Sequence, residues 1–188
     1  MTSTPLDLGR PVAGDVVELI LDDHRRFETL LRQLRDSSSD RDAVRKALSA
    51  LHVAHAEAEE KHVYPTLRKK RAITTDEEEH SEEEHAEGHE ALLAVLELKG
   101  IDTQAFEDAV EELAKKVNHH LTEEELTILN PAREEVSESV RADLGLAFAT
   151  ERNAQLDADC GRIENVRSIV ARAEKEGMLP PEDEEGEE

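Results

Sequence analysis

Histidine and glutamate side chains recur four residues apart in three stretches of the sequence, and one more histidine stands alone upstream of them. The set consists of His55 with Glu59, His85 with His89, His120 with Glu124, and the single His24. In an α-helix, a spacing of four places both side chains on one face, one turn apart. Imidazole nitrogens and carboxylate oxygens are ligands that borderline transition metals accept. The spacing therefore predicts a metal site that several helices assemble.

The number of donors indicates two metal ions. Five imidazoles and two carboxylates are too many for one tetrahedral zinc ion and fit a pair of metals bridged by carboxylates. If Glu59 and Glu124 both bridge, then four oxygens, five nitrogens and a shared oxo or hydroxo group counted twice fill eleven of twelve octahedral positions. One position stays open for a small ligand, and iron suits an open site on a redox-capable pair.

Four amphipathic helices are predicted to carry these residues. Each opens on a capping residue and then repeats apolar side chains with a period of about 3.5 residues. They are predicted at about 15–36, 39–71, 75–99 and 102–130. The first three open on Asp15 with Glu18, Ser39 with Asp42, and Thr75 with Glu78, and the last begins near Asp102 or Thr103 and ends before Pro131. Short connections favour antiparallel neighbours, so the predicted fold is all-α, with an up-down-up-down four-helix bundle.

Histidine interrupts the apolar stripe of each of these helices. Burying an imidazole without a partner costs free energy, and a shared metal explains all four interruptions. In the fourth helix, His120 is in phase with Val117 and Leu113, whereas His119 is displaced by about 100°. The phase favours His120, while the pairs His119 with Glu124 and His120 with Glu125 remain open.

Several other side chains are given no ligand role. They are His52, His62, His80 and His119, interpreted as helix-surface or ligand-supporting groups, Tyr64, interpreted as packing before Pro65, and Cys160, interpreted as a passive side chain outside the bundle. A competing pattern, Glu59 with His62 and Glu82 with His85, has the Glu-x-x-His spacing of ferritin-like sites. It is disfavoured because it leaves four of the spaced histidines unused.

The chain divides into a bundle and flanking segments. We predict an N-terminal extension over 1–14, the bundle over 15–131, a helical extension over 132–179 and an acidic disordered tail over 180–188. Helices at about 134–149 and 157–176 in the extension could cap the bundle, form a homodimer or dock to a partner protein.

Composition excludes several classes of partner. Forty-six acidic and twenty-three basic residues give a formal charge of −23, which repels nucleic acid and anionic membranes. A single cysteine excludes an internal disulfide and suits a reducing compartment. We find no leader pattern and no apolar run long enough to span a bilayer, so a cytoplasmic location is expected.

Four motifs resemble those of the hemerythrin-like, or HHE cation-binding, four-helix bundles. They are DDHRRFETLL at 22–31, HAEAEEKHVYP at 55–65, EEHAEGHEALL at 83–93 and HHLTEEELTILNP at 119–131. The resemblance covers roughly residues 15–131 and implies a non-haem, oxo- or hydroxo-bridged diiron centre. Its ligands would be His24, His55, Glu59, His85, His89, His120 and Glu124.

The expected function is binding of dioxygen or a related small oxidant at one open iron position, for carriage or sensing. No general acid, general base or substrate-sized pocket is identified in the sequence, which favours binding over conversion of an organic substrate. An enzyme that disproportionates peroxide or reduces nitric oxide at the same centre is the first alternative. A redox-responsive regulatory module that acts through the C-terminal helices is the second.

Overall fold

The computed structural model describes residues 6–179, and within them the chain is helical without a β-strand. The predicted all-α class is confirmed for this part of the chain, whereas the predicted disordered tail lies outside the described residues. The elements are α1 Val16–Arg35, α2 Arg41–Ala58, the π-helical turn π1 Glu59–Val63, α3 Tyr64–Lys69, α4 Thr75–Glu97, α5 Gln104–Glu124, the π-helical turn π2 Glu125–Leu129, α6 Asn130–Glu135, α7 Glu138–Asp157 and α8 Ile163–Glu176.

Four long helices close a ring. Helix α1 packs against α2 and α5, and α4 packs against the same two helices. The apolar side chains between them form two clusters, one around Phe27, Leu48 and Phe106 and the other around Ile20 and Phe148. Along α1, α2 with π1, and α5 with π2, the predicted ligands lie where the residues of one cluster give way to those of the other. The core is therefore divided by a polar layer that is screened from water on both sides.

Capping residues set the starts of these helices. Asp15 accepts a hydrogen bond from the Val17 N–H at 2.9 Å, and the Thr103 side chain caps α5, as predicted. The other two predicted caps, Ser39 and Thr75, are wrong by one residue. The side chains that cap α2 and α4 are those of Asp40 and Thr74. Adjacent residues of similar capping ability cannot be separated by spacing alone.

Two helices continue through a proline. The predicted end of the fourth helix before Pro131 is wrong, because π2 and α6 extend the helical path to Glu135. Pro65 is accommodated in the same way after π1. In each case the residue before the proline donates its N–H to the carbonyl five residues earlier, Tyr64 to Glu59 and Asn130 to Glu125. A proline has no N–H and crowds the preceding turn, so a wider turn relieves the conflict.

The C-terminal helices pack along the side of the ring. Helix α7 lies on α1 and α2, and α8 lies on α4. Both are displaced from their predicted bounds, since α7 opens after the N-cap Ser137 and α8 after Arg162. Cys160, between them, is buried in the first cluster and donates to the Ala50 carbonyl at 3.4 Å, which corrects its predicted place outside the bundle. No helix among residues 6–179 has the length and hydropathy needed to cross a bilayer.

Gly145 sets how closely α7 approaches α1. A Cβ at this position would lie 1.8 Å from the Gly14 carbonyl oxygen, immediately before the start of α1. We predict that Gly145→Ala destabilises the protein by about 1–3 kcal/mol, because backbone must move to admit the methyl group. Thermal unfolding followed by circular dichroism measures the change. Leu146→Ala, at a side chain that is 54% exposed, is the control and should stay within about 0.5 kcal/mol of the parent.

Candidate metal centre

Helices α1, α2, α4 and α5 bring six of the seven predicted ligands together in two groups. Within a group, one ligand atom from each residue lies within 4.8 Å of the others. The first group is His24, His55 and Glu124, and the second is Glu59, His85 and His120. All six side chains are buried. Two sets of nitrogen and oxygen donors therefore occupy the polar layer.

Each of the two carboxylates lies between the groups. The contacts are Glu59 Oε1 to His55 Nε2 at 3.1 Å, Glu59 Oε2 to His85 Nε2 at 3.3 Å, Glu124 Oε2 to His24 Nε2 at 3.1 Å, and Glu124 Oε2 to His120 Nε2 at 3.7 Å. Each glutamate thus contacts one imidazole of the first group and one of the second. This is the position that a bridging carboxylate would occupy between two metal ions.

A second ring of carboxylates holds the far side of each imidazole. The contacts are His24 Nδ1 to Glu125 at 2.8 Å, His55 Nδ1 to Asp23 at 3.1 Å, His85 Nδ1 to Glu60 at 2.8 Å and His120 Nδ1 to Glu84 at 2.9 Å. A carboxylate can only accept, so in His55, His85 and His120, whose Nε2 makes no hydrogen bond, it assigns the proton to Nδ1. The lone pair on Nε2 of these three rings is then free to bind a metal ion between the donor atoms, as metal ligation requires. His24 has a carboxylate within hydrogen-bond distance of both nitrogens.

Four of the atoms that face the groups lack hydrogen-bond partners, whereas His24 Nε2 is hydrogen-bonded to Glu124 Oε2 at 3.1 Å. Nε2 of His55, His85 and His120 and Oε1 of Glu59 are all buried and unpaired. The 3.1 Å contact between His55 and Glu59 is close, but its angles do not make a hydrogen bond. Buried polar atoms without partners are costly, and a cation satisfies nitrogen and oxygen lone pairs at once. The donor set therefore fits a metal centre.

The centre repeats itself residue by residue. Asp23–His24 in α1 corresponds to Glu84–His85 in α4, and the run from His55 to Glu59–Glu60 corresponds to the run from His120 to Glu124–Glu125. We call the α1–α2 residues one half of the centre and the α4–α5 residues the other half. In each half, the acid before the first histidine is hydrogen-bonded to the second histidine of that half: Asp23 to His55, and Glu84 to His120. The acid after each bridging glutamate holds the first histidine of the other half. Sequence reasoning missed Asp23, Glu60 and Glu84 and considered Glu125 only as an alternative metal ligand, although the repeated acid–His and His-x-x-x-Glu-Glu patterns could have found all four.

Glu59 and Glu124 both lie where a helix changes to a wider turn. Glu59 is the first residue of π1, and Glu124 directly precedes π2. Such turns are common at functional sites, because they redirect the side chains that follow. Here they also let the helical path continue through Pro65 and Pro131, a few residues after Glu59 and Glu124.

Tyr64, the first residue of α3, lies against both carboxylates. Its hydroxyl oxygen is 2.8 Å from Glu124 Oε1 and 3.2 Å from Glu59 Oε2, and its ring stacks on His85 at 5.8 Å. The single hydroxyl proton can be donated to only one carboxylate at a time. Burial, followed by the charges of Glu124 and Glu59, raises the pKa of Tyr64 and keeps the phenol protonated. The packing role predicted for Tyr64 thus omits this hydrogen bond.

Two further histidines lie beside the second group. His89 is buried but belongs to neither group, and its ring centroid is 4.5 Å from that of His52. His52 is also buried, which corrects its interpretation as a helix-surface group. The His52 ring packs against Gly88, where a side chain would not fit, since a Cβ on Gly88 would lie 2.7 Å from His52 Nε2. Burial, followed by the charge of nearby His85, lowers the pKa of His89 to about 4.

The alternative ligand choices are not brought together. His119 is 62% exposed and Glu125 is 47% exposed, whereas His120 and Glu124 are buried. His62 contacts Glu151 at 3.5 Å, away from the six residues. The geometry therefore favours the pair His120 and Glu124, and it gives no support to the Glu59 and His62 pattern.

The charges of the polar layer compensate one another. Burial alone would lower the pKa of His55, but Glu59 and Asp23 outweigh it and raise the pKa to about 10. Burial likewise opposes ionisation of Glu59, yet His55 and His85 hold the pKa of that carboxyl well below its usual range. Buried carboxylates thus stay ionised because positive charge is next to them, which metal cations would supply.

Comparison with protein-family models gives a match to the Hemerythrin HHE cation binding domain over residues 15–131. The match spans more than half of the 188 residues and includes all seven predicted ligands. The chain belongs to the hemerythrin HHE family. None of the curated proteins or solved structures compared with it is similar. The family assignment confirms the resemblance read from the four motifs and agrees with a cation-binding centre in the polar layer.

We predict that Glu59→Ala lowers the metal content of the hemerythrin domain well below two ions per chain, because it removes the carboxylate that both groups contact. Inductively coupled plasma mass spectrometry of purified protein measures the ratio. His80→Ala is the matched control, since the His80 side chain is 60% exposed and lies outside both groups. Equal losses in the two variants would contradict this ligand assignment.

Neighbouring glutamates at the junction of α5 and π2 give a second test. Glu124→Gln should remove a bridging ligand and lower metal content as Glu59→Ala does. Glu125→Gln should keep both ions but weaken their affinity by about 10–100-fold, because it weakens only the hydrogen bond that orients His24. Competition with a chelator measures both affinities. A larger loss in Glu125→Gln than in Glu124→Gln would reverse the assigned roles.

Proposed function

We propose that this hemerythrin-family protein holds a non-haem diiron centre and binds dioxygen or a related small oxidant at one open iron position. The observation that carries the proposal is the placement of Glu59 and Glu124, each of which contacts one histidine of either group. Two carboxylates in bridging positions suit a pair of ions, and mixed imidazole and carboxylate donors suit iron.

The proposed ligands are the Nε2 atoms of four histidines, one from each helix of an up-down-up-down bundle, and the two bridging carboxylates. His89 is the proposed fifth nitrogen donor. It lies one helical turn after His85, and its Nε2 is buried without a hydrogen-bond partner. An unequal share of nitrogen donors would leave one ion with fewer protein ligands, and therefore with the open position.

When bound, a pair of irons supplies reversible electron transfer and a coordination position for a small ligand. The chain supplies the surroundings. Apolar clusters on both sides exclude water from the layer, and the ligand residues are at most 5% exposed. Only a small molecule reaches such a layer without displacing a helix. On the α1–α5 side, a cavity of about 510 Å³ is lined in part by Glu125, the partner of His24.

Peroxide disproportionation is a second candidate, favoured by Tyr64. The reaction converts two hydrogen peroxide molecules into two water molecules and one dioxygen, and it requires proton movement between oxygen atoms. The Tyr64 hydroxyl oxygen, which carries an exchangeable proton, lies 2.8 Å from Glu124 Oε1. None of the proposed ligands has a hydroxyl group. A carrier needs no such proton donor, so the two functions differ in their dependence on this residue.

Spectroscopy of the iron-loaded protein tests the leading function. We predict an oxo-to-iron charge-transfer band in air that bleaches reversibly when dioxygen is removed, and two irons per chain by metal analysis. Azide should change the band, because a small anion takes the open position. A colourless protein that retains zinc in place of iron would contradict the proposal.

Turnover separates the two candidates. If the protein is a binder, added peroxide should release no more than about one dioxygen per centre, and Tyr64→Phe should leave that amount unchanged. Dioxygen release that persists over many cycles, measured with an oxygen electrode and lost in Tyr64→Phe, would instead identify the enzyme. Tyr64→Phe keeps the ring that stacks on His85, so it isolates the hydroxyl.

A further inference from the structure

We propose that α7, which lies outside the family match, is part of the metal centre, and that its Arg152 makes the two halves of the centre chemically unequal. The proposal rests on the proposed diiron function. Arg152 is a positioning residue, since it acts on Asp23 and through Asp23 on the His55 imidazole.

Arg152 is fully buried, with 0% of its surface exposed. Its Nε donates to Asp23 Oδ2 at 2.6 Å and its Nη2 to Asp23 Oδ1 at 2.8 Å, a two-point pairing of guanidinium and carboxylate. It also donates to the carbonyls of Leu8 at 2.6 Å and Gly9 at 3.1 Å, which ties the N-terminal segment to α7. A buried charge is tolerated only when it is paired and hydrogen-bonded in this way.

The pair is next to the proposed ligand sphere. Asp23 Oδ2, which Arg152 contacts, also accepts from His55 Nδ1 at 3.1 Å. Phe148, one turn before Arg152 on α7, meets the His55 ring edge-on at 5.7 Å. Helix α7 therefore contacts His55 directly through one residue and indirectly through another. Arg26 adds a longer contact to Asp23 at 3.2 Å from a partly exposed side chain.

Glu84, the corresponding acid in the other half, has no arginine or lysine partner in the ion pairs of residues 6–179. Glu84 holds His120 Nδ1 at 2.9 Å, as Asp23 holds His55. Its other ion-pair partners among the described residues are the exposed His80 at 3.5 Å and His119 at 3.2 Å, and neither carries a guanidinium or ammonium charge. The repeat that relates the two halves is therefore broken at one point by a full positive charge.

This difference changes how strongly the Nε2 atoms of His55 and His120 donate electrons to a bound metal ion. A carboxylate behind a ligating histidine draws on its Nδ1 proton and makes Nε2 more basic. A guanidinium at that carboxylate withdraws charge from it and weakens the effect. His55 should thus be the weaker donor and His120 the stronger. The ion beside His120 should be oxidised more easily than the ion beside His55.

Removing the guanidinium tests the proposal. We expect Arg152→Met to lower the reduction potential of the iron-loaded protein, because Asp23 then draws more strongly on the His55 proton. Asp23→Asn combined with Arg152→Met removes both charges, keeps an acceptor for His55 and should restore a potential near the parent value. Arg152→Lys keeps the charge and should remain close to the parent. Protein-film voltammetry measures the three potentials.

The matched control is Arg141→Met. Arg141 is also on α7 and pairs with an aspartate of the α1 start, Asp15, at 2.7 Å, but it lies away from the ligands. It should lower thermal stability without moving the potential. If Arg152→Met also changes stability alone, the residue is only structural and the proposal is overturned. Should Arg152→Met not fold, the uncharged double variant and Arg152→Lys still decide the matter, since unequal potentials in those two would contradict it.

A metal-free readout separates this proposal from the diiron function. In the metal-free protein, the Nδ1–H proton of His55 should move downfield in the proton NMR spectrum of Arg152→Met and stay in place in Arg141→Met. This shift tests the coupling of Arg152 to His55 without iron. A shift in a protein that never binds iron would contradict the diiron function while preserving the coupling, and an unmoved signal would overturn the coupling itself.

Discussion

The structure depends on imidazoles held between two carboxylates. Each of the four central histidines has one acid on Nδ1 and a glutamate near Nε2, in a layer where water is excluded. Ionised groups in such surroundings are costly unless opposite charge is adjacent. The acids therefore orient the rings, the rings stabilise the acids, and cations complete the arrangement. Removing one member leaves a buried charge without compensation, which ties local stability to metal content.

The helices show the consequence of building a site into a core. The layer interrupts the apolar packing of all four helices, and the π turns lie immediately below it. They let Glu59 and Glu124 face inward while the chain passes Pro65 and Pro131 without a break. The extension then adds α7, which covers the side of the layer and brings Arg152 to Asp23. Segments outside the bundle thus contribute to the surroundings of the centre.

Periodicity and spacing were sufficient to predict the four bundle helices and six residues that the structure brings together, because both follow from the fixed geometry of one helix face. His120 in preference to His119 also followed from phase. Spacing could not reveal contacts between helices, and so it missed the pairing of Asp23 with Arg152 and the burial of His52, which depends on Gly88 in another helix. It also misplaced the end of the fourth helix, since a proline usually stops a helix unless a π turn precedes it.

Anomalous X-ray diffraction at the iron edge, on crystals of the iron-loaded protein, tests the central claim most directly. The account predicts two peaks per chain, about 3.5–4 Å apart, with Glu59 and Glu124 reaching both. A single peak, or two peaks that do not share these carboxylates, would contradict it.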